Sequence, residues 1–226
     1  MTSLSLAAVE DERIKKSFMP SKLSLPPEKP DEQVFLTSVQ VEALVDAAED
    51  RDKALIYTAA LTGMRWGELV GLQRNCLDLD KRTIEVKVGL VDVAGTMSLD
   101  VTKTPASRRT VGLTMKNVVV LKHHIETYPP GQHTFVFTTA RRGPIRDDNW
   151  RKRVWKPLIK SVPSIRDRTR FHDLRHTHVA LCISKGVNFK SIQTRLGHSS
   201  IRVTMDRYGH LLESLRDQDM ASLDTL

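Results

Sequence analysis

The sequence predicts a mainly α-helical domain with a small antiparallel β-sheet, an α+β class of fold. Three observations predict it. Apolar residues recur at helical spacing behind capping signals, and alternation with a period of two is confined to residues 82–113. The composition, 40% hydrophobic and 27% charged, is that of an ordinary globular protein. At 226 residues the chain is long enough for one sizeable domain with appendages.

The first 31 residues differ in character from the rest. Met1–Asp31 shows no sustained hydrophobic period and ends in the proline-stiffened segment SLPPEKPD. We therefore predict that this stretch is a linker or tail left from a preceding domain. Residues 32–226 are predicted to form the folded domain.

The N-terminal part of that domain carries clear helix signals. In FLTSVQVEALVDAA, Thr37 is a candidate N-cap with Gln40 three residues later, the pattern of a capping box. A second helix is predicted near Arg51–Leu61 and ends at Gly63, which suits a left-handed position. Residues 66–72 form another short predicted helix.

The strand signals come next along the chain. Ile84, Val86 and Val88 alternate with polar residues, as on a half-buried strand. A turn at residues 94–96 leads to MSLDVT, and RTVGL supplies a third strand. Together these segments predict one small antiparallel sheet.

The C-terminal half returns to helices. MKNVVVLKHHIETY is a helix that stops at Pro129–Pro130, TFVFT is a short strand, and DDNWRKRVWKPLIKSV is one helix whose cations could line a groove. Three capped helices complete the chain's folded part, over Asp173–Lys185, Phe189–Leu196 and Ser200–Tyr208.

Charge and cysteine content limit the class of protein. The formal net charge of +8 modestly favours a polyanionic partner such as nucleic acid. Cys76 and Cys182 lie far apart in no metal-binding spacing, which favours a reducing, intracellular compartment. No segment approaches the roughly 18 apolar residues of a membrane span, so no membrane partner is expected.

The segment RFHDLRHTHVA contains a dense cluster of histidines and arginines and allows three interpretations: a zinc-binding helix, a phosphate clamp or a basic surface. His172 and His176, at i and i+4, imitate a zinc-binding helix. Asp173 in place of the usual glutamate and the permanent cation of Arg175 count against zinc. An alternative is a phosphate site, because His172 and Arg175 are neighbours on one helix face.

Two further segments favour the phosphate interpretation. In LTGMRWGEL, Arg65 supplies a second guanidinium and Glu68 is placed to orient a cation. His198 lies between two predicted helices, and Tyr208 comes ten residues later. Of the three tyrosines, Tyr57 is predicted to be in the core and Tyr128 at a helix end. The order Arg…His-x-x-Arg…His…Tyr is hard to obtain from packing alone.

With these motifs, the chain resembles the tyrosine site-specific recombinases, and among them the phage-type integrases. The matching segments are TGMRWGEL, KTPASRRTV, FHDLRHTH and LGHSSIRVTMDRYGH, within Phe35 to Leu212. The resemblance implies a tyrosine-recombinase catalytic-domain fold and site-specific DNA cleavage and rejoining through a 3′-phosphotyrosyl intermediate, for phage or prophage integration or excision.

The resemblance also implies a role for each matching residue. Tyr208 is the nucleophile, and Arg65 and Arg175 clamp the scissile phosphate. His172 transfers the proton of the phenol, and His198 donates a hydrogen bond to a phosphate oxygen. Lys103 protonates the leaving 5′-oxygen, and Glu68 supports the arginine. The arginine pair does the work of a divalent ion, so no metal or other cofactor is implied.

The expected partner is double-stranded DNA. The candidate DNA-contacting residues are Arg108, Arg109, Arg151, Lys152 and Arg153. The resemblance implies a monomer when free, a homo-tetramer on synapsed DNA, and a cytoplasmic, nucleoid-associated location in a bacterial host. Residues 211–226 are amphipathic and either pack on their own domain or dock on a neighbouring protomer.

Several alternatives remain open. A topoisomerase or a transposon-type recombinase would use the same chemistry, and a catalytically silent DNA-binding module would use only the basic helices. Complete enzymes of this type carry a further helical domain before the catalytic one. We therefore expect this chain alone to bind DNA weakly, with a dissociation constant near ~10⁻⁴–10⁻⁶ M.

Overall fold

The computed structural model describes residues 33–93, 95–101, 108–129, 135–209 and 211. The chain divides into two units between Glu32 and Gln33, and all of the described residues belong to the second unit. The predicted linker at Met1–Asp31 and the predicted tail beyond Leu211 lie outside the described residues and stay predictions. The described part is mainly helical with a minor antiparallel β component, which confirms the predicted α+β class.

The first helices form as their capping signals predict. Helix α1, Ser38–Ala47, begins after Thr37, and Thr37 and Gln40 exchange both hydrogen bonds of the capping box. Helix α2, Asp50–Thr62, is mostly buried and packs against two later helices. Helix α3, Trp66–Val70, begins after a short turn.

Gly63 ends α2 in the left-handed conformation, with φ of +66°. A Cβ at this position would also lie only 2.7 Å from the ring of His178. A larger residue would therefore be strained and would push a buried histidine away. The glycine fixes the turn on which Arg65 stands.

The strands form two sheets, so the prediction of a single sheet was wrong. Strands β1 (Leu77–Asp78), β2 (Thr83–Val86) and β5 (Arg109–Gly112) pair antiparallel in the order β1-β2-β5. Strands β3 (Val88–Val93) and β4 (Thr96–Val101) form a separate hairpin.

The reason for the split is the packing of β3 on α3. A Cβ on Gly67 would lie 2.8 Å from the carbonyl oxygen of Leu90, so the bare glycine lets the two backbones meet. The apolar alternation continues through the break between β2 and β3. Periodicity alone therefore could not reveal that the chain changes sheet there.

The predicted strand TFVFT was also wrong. Within its described residues, 135–138, only Phe135 pairs, as a single bridge with Gln73. Val136 and Phe137 are buried in the core. Their apolar character therefore reflects core packing rather than a strand.

Helix α4, Met115–Thr127, ends before the two prolines as predicted. The basic helix has three parts: α5 (Asp147–Trp150), a π-helical turn (Arg151–Trp155) and α6 (Lys156–Ser161). In a regular α-helix, residues five apart point about 140° away from each other. A π turn aligns them, and here Trp150 and Trp155 stack together in the core, with ring centroids 5.9 Å apart.

The last three helices carry most of the candidate site. They are α7 (Asp173–Ser184), α8 (Phe189–Leu196) and α9 (Ile201–Tyr208). Asn188 caps α8 at its start, and left-handed Gly197 ends it. Tyr208 packs with apolar residues of α7 and α8 in a small second core. None of the described helices combines the length and the apolar character needed to cross a membrane.

Candidate active site

Arg175 is held by two helix ends. Its side chain is buried, 4% exposed, on α7. Nη1 donates to the carbonyl oxygen of Gly63 at 2.5 Å, and Nη2 donates to that of Leu196 at 2.8 Å. These carbonyls stand at the C-terminal ends of α2 and α8, where the helix dipole is negative and carbonyls lack helical partners. One guanidinium therefore joins two helix ends.

The charge of Arg175 survives this burial. Burial first, and then the positive charge of Arg65, lower the pKa of the Arg175 guanidinium to about 9. The group is protonated at neutral pH. Three of its five N–H donors are engaged by described residues, which leaves two without a partner among those residues.

Arg65 is held through Glu68. The Arg65 Nη1 donates to Glu68 Oε1 at 2.9 Å, and the Arg65 backbone N–H donates to Oε2 at 2.8 Å. Glu68 is 5% exposed, whereas the Arg65 side chain is 43% exposed. Arg65 thus presents a positive charge to solvent while its carboxylate partner is buried.

Arg109 lies in a different place from the one predicted. It was expected on the DNA-contacting surface, but its side chain is only 4% exposed. Its Nη1 and Nη2 donate to the two oxygens of Glu68, at 3.0 and 2.8 Å. Burial raises the pKa of Glu68, but the hydrogen bonds and charge of Arg109, together with those of Arg65, outweigh it. The net pKa is below the ordinary value.

The other predicted DNA-contacting residues in the described part are exposed. Arg108 precedes β5, and Arg151, Lys152 and Arg153 occupy the π turn. Arg151 Nε lies 2.6 Å from Asp147 Oδ1, so part of its charge is neutralised. Lys103, the predicted acid for the leaving group, lies outside the described residues and stays a prediction.

His198 connects Arg175 to the helix that carries the tyrosine. Its Nε2 lies 3.0 Å from Arg175 Nη2 and its Nδ1 lies 2.9 Å from the hydroxyl of Thr204 on α9. Because a guanidinium can only donate, Nε2 accepts and Nδ1 carries the proton. Burial, followed by the charges of Arg175 and Arg65, lowers the pKa of His198 to about 4. The ring is therefore neutral.

Tyr208 faces the interior, and its partner is His176. The tyrosine is 1% exposed, and its hydroxyl oxygen lies 2.7 Å from His176 Nδ1. Burial raises the pKa of the phenol, although the charge of Arg175 opposes this. Burial and the neighbouring His172 lower the pKa of His176 to about 4. A neutral phenol and a neutral imidazole share this hydrogen bond.

His172, the predicted proton-transfer residue, stands one ring further from the phenol. It is exposed at the N-cap of α7, and its ring meets that of His176 edge-on at 5.1 Å between centroids. No hydrogen bond joins it to Tyr208 within the described chain. Sequence reasoning missed His176 as a partner of the phenol, although its position four residues after His172 was a usable signal.

In the described chain, no third ligand-type side chain stands beside His172 and His176 to complete a metal site. Nowhere in that part do three histidine, cysteine or acidic side chains gather as potential ligands. The structure instead brings together Arg65, Glu68, Arg175 and His198, and His198 contacts Thr204 on α9, the helix that carries Tyr208. Two cations that can neutralise a phosphate thus share a site with the helix that carries one phenol.

Comparison with known proteins identifies related chains. The family model described as Phage integrase family matches residues 34–214. The integrase of Staphylococcus phage L54a is 30% identical over 171 residues, 71% of this chain and 48% of that protein. The ICEBs1 integrase of Bacillus subtilis (strain 168) is 33% identical over 184 residues, 75% of this chain and 48% of that protein. The chain thus spans about half the length of these relatives.

Solved structures share the fold. The Tn1549 transposon integrase in complex with circular intermediate DNA superposes with a TM-score of 0.75 at 23% identity, covering 90% of this chain and 72% of that one. The XerA recombinase gives a TM-score of 0.69 at 24% identity, covering 84% and 66%. At these identities the likeness concerns the fold alone.

Proposed function

The chain belongs to the phage integrase family, and we propose that it cleaves and rejoins DNA strands at a specific site through a covalent phosphotyrosine. The observation that carries the proposal is the placement of the buried Arg175 guanidinium. It is fixed by two helix ends and linked through His198 to α9, the helix of the only tyrosine among the predicted site residues.

The two arginines bind and neutralise the scissile phosphate. The partly exposed Arg65 binds the phosphate from the solvent side, and the buried Arg175 donates its two remaining N–H groups to it from the protein side. Guanidinium groups match the paired non-bridging oxygens of a phosphate, and their charges stabilise the extra negative charge of the pentacoordinate transition state. Both cations are held in place before DNA arrives, so little reorganisation is needed.

His198 has to change its hydrogen bonding to act on the phosphate. In the structure its Nε2 accepts from Arg175, so it has no proton there to donate. We propose that the phosphate displaces this contact and that the ring then carries its proton on Nε2. His198 would donate that proton as a hydrogen bond to a non-bridging oxygen.

Tyr208 performs the bond exchange. Its phenolic oxygen attacks phosphorus, a 3′-phosphotyrosyl bond forms, and the 5′-oxygen leaves with a proton that we assign to Lys103. The phenol gives its own proton to the His172–His176 pair. Within this pair, His176 is the residue that hydrogen-bonds with the phenol. The reverse attack by a 5′-hydroxyl rejoins the strand, and the phosphotyrosyl bond conserves the energy, so no ATP is needed. Because Tyr208 is 1% exposed, α9 must move when DNA binds.

We propose that the partner is double-stranded DNA, bound partly by the exposed cations of the π turn and by Arg108. The related Tn1549 integrase, which was solved with DNA, supports this. We further propose a monomer when free and a tetramer on synapsed DNA, in the cytoplasm of a bacterial host. In this arrangement residues 211–226 would dock on the neighbouring protomer. Integration or excision of phage DNA is the proposed outcome.

A second candidate is a transposon-type recombinase, which the fold shared with the Tn1549 integrase favours. The chemistry would be the same, and only the DNA ends and the assembly would differ. Assays with phage attachment sites and with transposon ends, side by side, separate the two candidates.

The test is a nicked duplex that traps the covalent intermediate, because the short 5′ fragment diffuses away after cleavage. We expect an adduct that resists denaturing electrophoresis, forms in EDTA, and is absent with Tyr208→Phe. Tyr57→Phe is the matched control and should leave the adduct unchanged. DNA binding without an adduct on any such duplex would instead indicate a catalytically silent module.

A further inference from the structure

We propose that Arg109 is a positioning residue that aligns the two arginines of the phosphate clamp with each other; this inference rests on the proposed function. The residue is the first of β5, and its side chain is 4% exposed. Its three donor nitrogens bind two different parts of the site. It acts on each arginine of the clamp through the groups that hold that arginine.

The hydrogen bonds of Arg109 with Glu68, here called its first arm, hold Arg65. Nη1 and Nη2 donate to the two oxygens of Glu68 in a bidentate pair. The same two oxygens accept from the Nη1 and the backbone N–H of Arg65. A carboxylate that is fixed on both oxygens by a planar fork cannot rotate. Arg109 therefore determines where Glu68, and through it Arg65, is held.

The second arm reaches the end of α8. The Nε of Arg109 donates to the carbonyl oxygen of Arg195 at 2.5 Å. The next carbonyl along the chain, that of Leu196, accepts from Arg175. The two residues after it are Gly197, which ends the helix, and His198, which contacts Arg175. Arg109 thus fixes the helix end on which Arg175 depends.

A reciprocal contact strengthens this arm. The Nη2 of Arg195 donates to the carbonyl oxygen of Gly112 at 3.2 Å. Gly112 is the last residue of β5, whereas Arg109 is its first. The strand and the end of α8 are therefore tied at both ends of β5. A displacement of this strand would move both arms of Arg109 together.

Lysine cannot replace this geometry. Its ammonium is a point charge, whereas the guanidinium presents donors in one plane at fixed angles. Two donors match a carboxylate and the third points away from it, here towards α8. Lysine would keep the ion pair with Glu68 and lose either the fork or the contact with Arg195. Glu68 and the end of α8 could then no longer be held at a fixed position relative to each other.

The experiment separates positioning from direct DNA contact. Single-turnover cleavage of the nicked duplex at saturating DNA, and DNA affinity across salt concentrations, are measured for Arg109→Lys and Arg109→Met. The matched control is Lys122→Met, which removes an exposed cation on α4. We expect the cleavage rate of both Arg109 variants to fall by about 10- to 100-fold, as for small misplacements of catalytic groups. The salt slope should equal that of the control.

Other outcomes overturn the proposal. A DNA contact would instead lower the affinity and reduce the salt slope by about one, with an unchanged rate at saturation. Full activity of Arg109→Lys would show that charge alone suffices. Urea unfolding shows under which conditions each variant is folded. The cleavage rates are measured under those conditions, so that they refer to folded protein.

A second readout does not depend on activity. In NMR spectra of protein with labelled arginine, the Nε–H signals of both Arg65 and Arg175 should shift in Arg109→Lys and stay in place in Lys122→Met. Unchanged signals would contradict the positioning role even if the wild-type chain formed no adduct. Absence of a wild-type adduct with shifted signals would contradict the proposed function alone.

Discussion

The clamp and the nucleophile helix are held in different ways. Arg175 is bound to Gly63 and Leu196, which are 112 and 21 residues away in the chain, so two other helices fix it. Helix α9 is only eight residues long. Among the described residues, Thr204 of this helix hydrogen-bonds with His198, and Tyr208 hydrogen-bonds with His176.

The difference indicates which part of the site moves. Displacing Arg175 would leave a buried charge and two helix-end carbonyls without partners, which is costly. Displacing α9 breaks these two described hydrogen bonds, which join neutral groups, and uncovers Thr204 and the ring of Tyr208, which is a smaller cost. A preformed clamp with an adjustable nucleophile fits a reaction in which α9 must move before Tyr208 can attack.

The largest expected effect comes from breaking the clamp. Arg175→Ala should lower the single-turnover cleavage rate by at least ~10²–10³, the usual cost of losing one donor that stabilises a transition-state charge. Arg175→Lys should recover only a small part of this rate, because an ammonium cannot bind both carbonyls and the phosphate. Trapping of the covalent adduct measures both. A rate within a few-fold of wild type for Arg175→Lys would show that the two-helix anchoring is unimportant.

The hydrogen bond of the nucleophile is tested by a double-mutant cycle. His176→Ala should lower the free energy of unfolding by about 1–3 kcal/mol, because it removes the hydrogen bond between the buried phenol and the imidazole. His176→Asn places an amide oxygen near the former Nδ1 and should cost less. In the cycle with Tyr208→Phe, the coupling energy should be about 1 kcal/mol. Urea unfolding gives these values, and additive effects would mean that the contact contributes nothing to docking of α9.

Stability should fall as the pH falls from about 6.5 towards 4. The pKa values of His176 and His198 are about 4 in the folded chain, against 6.5 for an ordinary histidine. In that window the unfolded chain binds protons that the folded chain rejects, so acid favours unfolding and the full stability is present only above about pH 6.5. Urea unfolding at neutral pH and at about pH 5 measures the loss. The double variant His176→Asn/His198→Asn should flatten the dependence, and an equal slope in both proteins would contradict this.

Local signals in the sequence predicted the local structure. The capping box at Thr37, the left-handed Gly63 and the helix ends near residues 186 and 197 all form as expected. These features depend on a few neighbouring residues. The split of the sheet and the wrong strand TFVFT depend instead on packing between distant segments. Apolar alternation does not record which surface a segment packs against.

The candidate site divides in the same way. The side chains of the motifs could be named from the sequence, because the chemistry of a phosphate requires cations and a phenol. Arg109 and His176 were assigned differently or missed, because their roles depend on contacts across 41 and 32 residues. A basic residue beside a predicted strand gives no sign of whether it faces DNA or a buried carboxylate.

The smallest effect is expected where the clamp and the nucleophile helix meet. Thr204→Val keeps the shape of this fully buried side chain and removes the hydroxyl that accepts from His198 Nδ1. The free energy of unfolding should fall by about 1 kcal/mol, with a cleavage rate within a few-fold of wild type, since Arg175 keeps both of its carbonyl partners. Thr204→Ser restores the hydroxyl and is the control. A rate loss as large as that of Arg175→Ala would mean that the clamp depends on α9, and that the two regions are not held independently.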